Sequence, residues 1–170
     1  SFMLLTACTT DIPLTQAESQ TIHTVTLTSV ANPNSYMYVG PNTSMMLFGG
    51  AVAGQRLGTV IADNQIDITQ IVKEQLIKDL DKNHHIKVQN EGPADAQLKV
   101  RILVYGFTNY PFILQRTVRP YLSIDATLTK DNRIIWYNKT VEITGLGTTR
   151  YYFSDLLQNP QLIRKSWSYV

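Results

Sequence analysis

A single cysteine, Cys8, stands in 170 residues, so no internal disulfide can form and no pair of thiols exists for redox chemistry or a thiolate metal site. Charge is scarce as well. Asp, Glu, Lys and Arg make up 16% of the chain, against roughly a quarter in an average globular protein. The formal net charge of +2 is too small to point to nucleic acid as a partner. Long apolar runs are also missing. The best, residues 45–62, carries Gln55 and Arg56 in its middle, which argues against a membrane-spanning helix. Catalytic signatures are absent too: there is no Gly-x-Ser-x-Gly elbow and no His-Glu-x-x-His pair. Gly49 and Gly54 have the spacing of a phosphate loop, but Gln55-Arg56 stands where that chemistry needs Lys followed by Ser or Thr. The histidines are His23, His84 and His85. On a strand the last two would point to opposite faces, so they read as solvated loop residues and not as ligands of one metal. The expectation is a protein without catalytic residues, metal or cofactor, and so not an enzyme.

What is present begins with the surroundings of Cys8. Residues 1–8 read Ser-Phe-Met-Leu-Leu-Thr-Ala-Cys, an apolar run ending in small residues, as at the end of a secretory signal peptide. Leu5-Thr6-Ala7-Cys8 resembles the lipobox of bacterial lipoproteins. The resemblance implies that the Cys8 sulfur receives a diacylglycerol, that cleavage precedes Cys8, and that the new N-terminus is acylated. Several acyl chains are what stable anchoring needs, because one chain binds membranes only marginally. It implies further that Thr9, in place of Asp, sends the protein to the outer membrane facing the periplasm, with the inner membrane and cell surface left open. An alternative reading buries Cys8 in an N-terminal strand.

The chain then divides into a signal-peptide remnant (1–7), a lipidated polar tether (8–20) and one domain (21–170). A 44% hydrophobic content is ample for a core. Thr21 to Val30 alternates as an edge-like strand with Val25 and Leu27 on one face, and Ser35 to Val39 is a second short strand. Asp63 to Lys82 is a helix striped by Ile68, Ile71, Val72, Leu76 and Leu80, with Asp67 as N-cap and Gln70 as its capping-box partner. His85 to Val88 begins a strand. In Gln97 to Tyr105 the residues Leu98, Val100, Ile102 and Val104 point one way. Tyr121 to Thr129 alternates, with Leu122, Ile124, Ala126 and Leu128 inward and Asp125 in a solvent-facing polar row. Lys130-Asp131-Asn132-Arg133 turns into a returning strand, 134–143, where at least one of Trp136 and Tyr137 is core. Ser154 caps a final helical region, and Asn159-Pro160 starts its last turns. The fold class is therefore α+β, a mainly antiparallel sheet with helices packed on one face. The order of elements also looks like that of small periplasmic lipoproteins of secretion and envelope-assembly systems.

Two segments stand out as surfaces. Gly50, Gly54 and Gly58 fall four apart on one helix stripe, the small-residue spacing that lets another backbone approach closely. This segment is either a helix packed tightly on the sheet or an apolar element that meets a membrane or another subunit. The second segment is the aromatic connection containing Phe107, Tyr110 and Phe112, followed by Arg116 and Arg119, residue types that protein interfaces concentrate; a lid over the sheet edge would use the same residues. Basic residues also gather late in the chain: residues 1–94 hold five Lys/Arg against eight Asp/Glu, and residues 95–170 hold ten against five. Together these features imply a membrane partner reached through the Cys8 lipid, a protein partner in the envelope, no nucleic acid, and compatibility with a homo-oligomer. The function expected is that of a non-enzymatic accessory or structural subunit. The alternative is a small-ligand or lipid binder whose pocket is lined by residues such as Leu57, Ile61 and Leu128.

Overall fold

A computed structural model describes residues 11–31, 36–39, 46–108, 117–144 and 149–168, with backbone alone for 31, 36–39, 46–52 and 139–144. Along the chain run α1 (Gln16–Ser19), β1 (Thr24–Ala31), β2 (Tyr36–Val39), α2 (Met46–Asp63) and α3 (Ile68–His84). Then come β3 (Lys87–Gln89), β4 (Ala96–Thr108), β5 (Thr117–Lys130), β6 (Arg133–Thr144), β7 (Tyr151–Tyr152), α4 (Phe153–Gln158) and α5 (Pro160–Trp167). The strands form one sheet in the order β3-β1-β4-β5-β6, with β2 beside the far end of β4 and β7 beside the start of β5.

The α+β class holds, but the sheet is mixed. β1 pairs in parallel with both β3 and β4, and β2 pairs in parallel with β4; only the β4-β5-β6 meander and the β5-β7 pair are antiparallel. The α2–α3 excursion that follows β2 lets the chain return as β3 beside β1 in the same direction, the crossover that parallel strands require. β5 and β6 are joined by a tight turn in which Asp131 (φ 50°) and Asn132 (φ 59°) are both left-handed, the turn whose twist suits a two-residue hairpin.

The helical segment expected from Asp63 is divided. Asp63 ends α2, Gln65 turns the chain at φ 51°, and α3 starts after Asp67, whose carboxylate accepts from Thr69 N–H at 2.8 Å and Gln70 N–H at 3.3 Å. The Gln70 side chain does not return the bond; it donates to Glu74 Oε1 at 2.9 Å. The reciprocal capping box occurs instead between Thr15 and Glu18, on the short α1. α3 ends at His85 in the left-handed region (φ 56°), and Ile86 N–H reaches back to the Leu80 carbonyl at 2.9 Å. His84 is thus helical and His85 a helix cap, and neither is in a strand. Ser154 lies inside the first turn of α4, whose N-cap is Tyr152. Asn159 and Pro160 do begin α5, with Asn159 Oδ1 accepting from Gln161 N–H at 3.2 Å.

One face of the sheet carries the core. Val25, Leu98, Val100, Ile102, Leu122, Ile124, Ala126 and Leu128 meet Leu57 of α2, Ile68, Ile71 and Val72 of α3, Leu156 of α4, and Ile163 and Trp167 of α5. Burying each large aliphatic or aromatic side chain contributes about 1.5–3 kcal/mol, so this layer is the main stabilising term of the fold.

Bulges decide which residues reach it. In β4 the register against β5 slips between Ile102 and Val104, so Leu103 is an extra residue and the inward phase changes from even to odd numbers. Val104 therefore does not continue the Leu98-Val100-Ile102 row. Tyr105 and Phe107 face inward in its place, opposite Leu122 and Pro120.

Candidate functional site

Of the residues offered as a partner or packing surface, Phe107 falls on the packing side. It belongs to β4 and has no exposed surface. Its ring stacks on Trp167 at a centroid distance of 5.5 Å and 26° between planes, and Tyr105 meets the same indole edge-on at 5.6 Å. Gly106, at φ 148°, keeps a backbone that side chains disfavour, and its carbonyl accepts the Trp167 indole N–H at 3.3 Å. Burial pushes the Tyr105 phenol pKa up. This aromatic cluster locks α5 to the sheet. Arg119 lies half-buried in β5. Tyr110, Phe112 and Arg116 lie outside the described residues, as does Cys8.

The glycine stripe falls within α2, so Gly49 to Gly54 form helix and not a phosphate-binding loop. Leu57 is fully buried, with Val60 and Ile61 packed beside it. Gly54, however, is not a point of close approach: a Cβ built there meets no atom within 4 Å. Gly58 is half-buried. Beside this helix, α2 and α4 bound a cleft of about 510 Å³ lined by Arg56, Thr59, Val60, Ser154, Leu157 and Gln158. Leu57 and Leu128, expected to line a pocket with Ile61, are part of the packed core, and Ile61 packs against it. The carboxy end of α2 is held by Arg164, whose guanidinium donates to the Asn64 and Gln65 carbonyls at 3.1 Å each, a cation placed on the negative end of a helix.

The second face of the sheet, away from the helices, carries the polar row. Asp125 was expected to face solvent; it is 7% exposed. Arg101, directly opposite on β4, covers it with hydrogen bonds from Nε at 3.2 and 3.1 Å and a further contact from Nη2. The Asp125 hydrogen bond, and then its charge, hold the Arg101 pKa above its ordinary value, with desolvation opposing and the Tyr137 hydroxyl adding in the same direction. Tyr137, paired with Thr127, which is in turn paired with Lys99, shares this face. Lys99 and Gln97, two and four residues before Arg101, are exposed on the same strand, and Lys87 is exposed on β3, paired with Thr24 toward the other end of β1.

The N-terminal segment joins the same region. Ile12 pairs with Tyr137 as an added edge residue, with N–H to carbonyl distances of 2.9 and 3.0 Å. Glu18 of α1 meets Arg133 at 2.8 Å, and Lys130 donates to Thr21 Oγ1 at 2.9 Å. Residues 12–21 are thus laid along the end of the β5–β6 hairpin, where a loose tether was expected. The sequence signal for this was present: Thr15-x-x-Glu18 is a capping box. Among the described residues no three metal-ligating side chains gather, and no helix is long and apolar enough to cross a membrane.

No family profile matches this chain, and no curated protein matches it. Solved structures do resemble it in outline. The Xanthomonas campestris protein XCC0632, assigned to the family DUF330, aligns over 87% of this chain and 78% of its own with a TM-score of 0.47 and 12% identity. A PelC dodecamer from Paraburkholderia phytofirmans covers 86% of this chain and 84% of its own at TM-score 0.28 and 14% identity. The lipoprotein GNA1162 from Neisseria meningitidis covers 84% and 93%, at TM-score 0.24 and 12% identity. At these values the likeness is one of general outline and transfers no ligand, partner or activity.

Proposed function

We propose that this chain is a lipid-anchored, periplasm-facing lipoprotein of the bacterial envelope, acting as a non-enzymatic accessory subunit. One observation carries the reading: the only cysteine follows Leu5-Thr6-Ala7 at the end of an apolar run. Acylation would use that thiol and provide the two or more chains that stable anchoring requires. The structure supports a short stand-off. With Ile12 fixed to β6, three residues lie between Cys8 and the domain, and the four steps from Cys8 to Ile12 span at most about 14 Å at 3.3–3.6 Å each.

The test is Cys8→Ser in cells fed a labelled fatty acid. The wild-type chain takes up label and fractionates with membranes; the variant does neither. Unchanged fractionation of the variant would refute the anchor. Recovery of the acylated chain from membranes with a stoichiometric protein partner supports the subunit role, and recovery as a partnerless monomer removes it.

A further inference from the structure

The helix-free face of the sheet combines three properties that a membrane surface would use. First, the register aligns one transverse row, Lys99–Thr127–Tyr137–Ile12, across β4, β5, β6 and the N-terminal segment. Directly paired residues project to the same side, so this row spans about 14 Å at 4.8 Å per strand. The neighbouring row is Gln97–Thr129–Ile134. Second, Ile12 and Ile134, 38% and 49% exposed, are two of the few large hydrophobic side chains turned to solvent, and both lie at the β6 end of these rows. Third, Lys87 and Lys99 are exposed cations on the β3–β1–β4 half, while the Arg101 charge is offset by Asp125. Of the carboxylates nearby, Asp125 is ion-paired with Arg101, and Asp95 keeps its charge just before β4, where it accepts from the His23 and Thr24 N–H groups and the Thr24 hydroxyl. Glu142, opposite Ser123, lies toward the far end of β6.

We propose that this face lies on the membrane, with Ile12, Ile134 and Tyr137 at the interface and Lys87 and Lys99 over anionic lipid head groups. The proposal rests on the lipid anchor at Cys8, which brings the Ile12 edge within about 14 Å of the bilayer. An edge held that close leaves the domain only to tilt for this face to meet the surface. Each basic side chain near an anionic leaflet multiplies association about fivefold, so a tethered domain with two of them settles on this side. The opposite face, carrying α3, then points away from the bilayer.

The experiment is amine labelling of the acylated full-length protein in detergent and on vesicles of phosphatidylcholine with or without phosphatidylglycerol. On phosphatidylglycerol vesicles Lys87 and Lys99 should label at least about fivefold more slowly than in detergent, while Lys78 and Lys82 of α3 keep their rates. High salt should restore the Lys87 and Lys99 rates, because screening shortens the reach of head-group charge. Ile12→Ser with Ile134→Ser, both at exposed positions, should weaken the protection without preventing vesicle flotation. Equal rates at all four lysines overturn the proposal, as does protection of the α3 lysines instead. Protection of Lys87 and Lys99 already present in detergent would also overturn it, since a second copy or another protein would then cover the face. A chain that takes no lipid label and does not float refutes the anchor itself, a separate outcome from equal labelling on a chain that floats.

Discussion

Replacing Gly54 by alanine separates the two meanings of the glycine stripe in α2. If the stripe exists so that another part of this chain can pack against the helix, a methyl group there must collide and the protein must lose stability. The structure gives the opposite sign. A Cβ at Gly54 has no atom within 4 Å, so no clash opposes the intrinsic preference of a helix interior for alanine, about 0.8–1.0 kcal/mol. The gain reflects the conformational entropy that glycine loses on folding. For a chain of 170 residues that corresponds to a rise in Tm of roughly 2–4 °C. With a urea m-value of about 2 kcal/mol/M it shifts the midpoint up by about 0.4–0.5 M. Circular dichroism during thermal and urea unfolding of wild type and Gly54→Ala measures both. A lower midpoint would refute the reasoning, since it would require a neighbour in contact with the stripe. The same variant also tests the surface role. If a partner seats on α2 through its glycines, Gly54→Ala stabilises the isolated chain and still weakens the complex recovered from membranes.

Two further outcomes follow from packing and charge. Trp167→Ala removes the indole that stacks on Phe107 and donates to the Gly106 carbonyl; it should cost about 3–5 kcal/mol and abolish most of the near-ultraviolet dichroism, and a loss below 1 kcal/mol by urea unfolding would show that α5 is not locked there. Asp95 accepts three hydrogen bonds at 2.9–3.0 Å from His23 and Thr24; the His23 N–H bond first, then those from Thr24, hold its pKa below the ordinary carboxylate value. A depressed folded pKa means stability that is present above the unfolded value and lost as pH falls through the folded one. Urea titrations of wild type and Asp95→Asn should therefore differ most near neutral pH and converge below the carboxylate range, and a difference that grows on acidification would contradict the assignment.

How much was legible in the sequence follows from which physical rule governs each residue. Local rules carried far. Alternation placed Leu98, Val100, Ile102, Leu122, Ile124, Ala126 and Leu128 in the core, where they lie. Helical spacing found Ile68, Ile71 and Val72, and the cap residues Asp67, Asn159 and Pro160 stand where their chemistry requires. The Asp131-Asn132 turn was readable because few residues accept left-handed backbone. Phe107 was not legible, because strict alternation from Ile102 assigns it to the other face and only the extra residue Leu103 reverses the count. Asp125 shows the same limit from the charge side. Its place in the polar row was readable, but its burial depends on Arg101 standing opposite it on another strand, a matter of β4–β5 register.

The cysteine remains the clearest instance of what the sequence determined alone: one thiol, no internal disulfide, and a place directly after Leu5-Thr6-Ala7. Composition and periodicity likewise set the α+β class. Tertiary structure alone decided that the sheet is mixed, that the Phe107 aromatic cluster is core, that Gly54 has free space beside it, and that residues 12–21 lie against the hairpin. Each of those depends on which distant segments are brought side by side. Strand register and bulges set that pairing, and a one-residue shift in either turns a side chain from one face to the other.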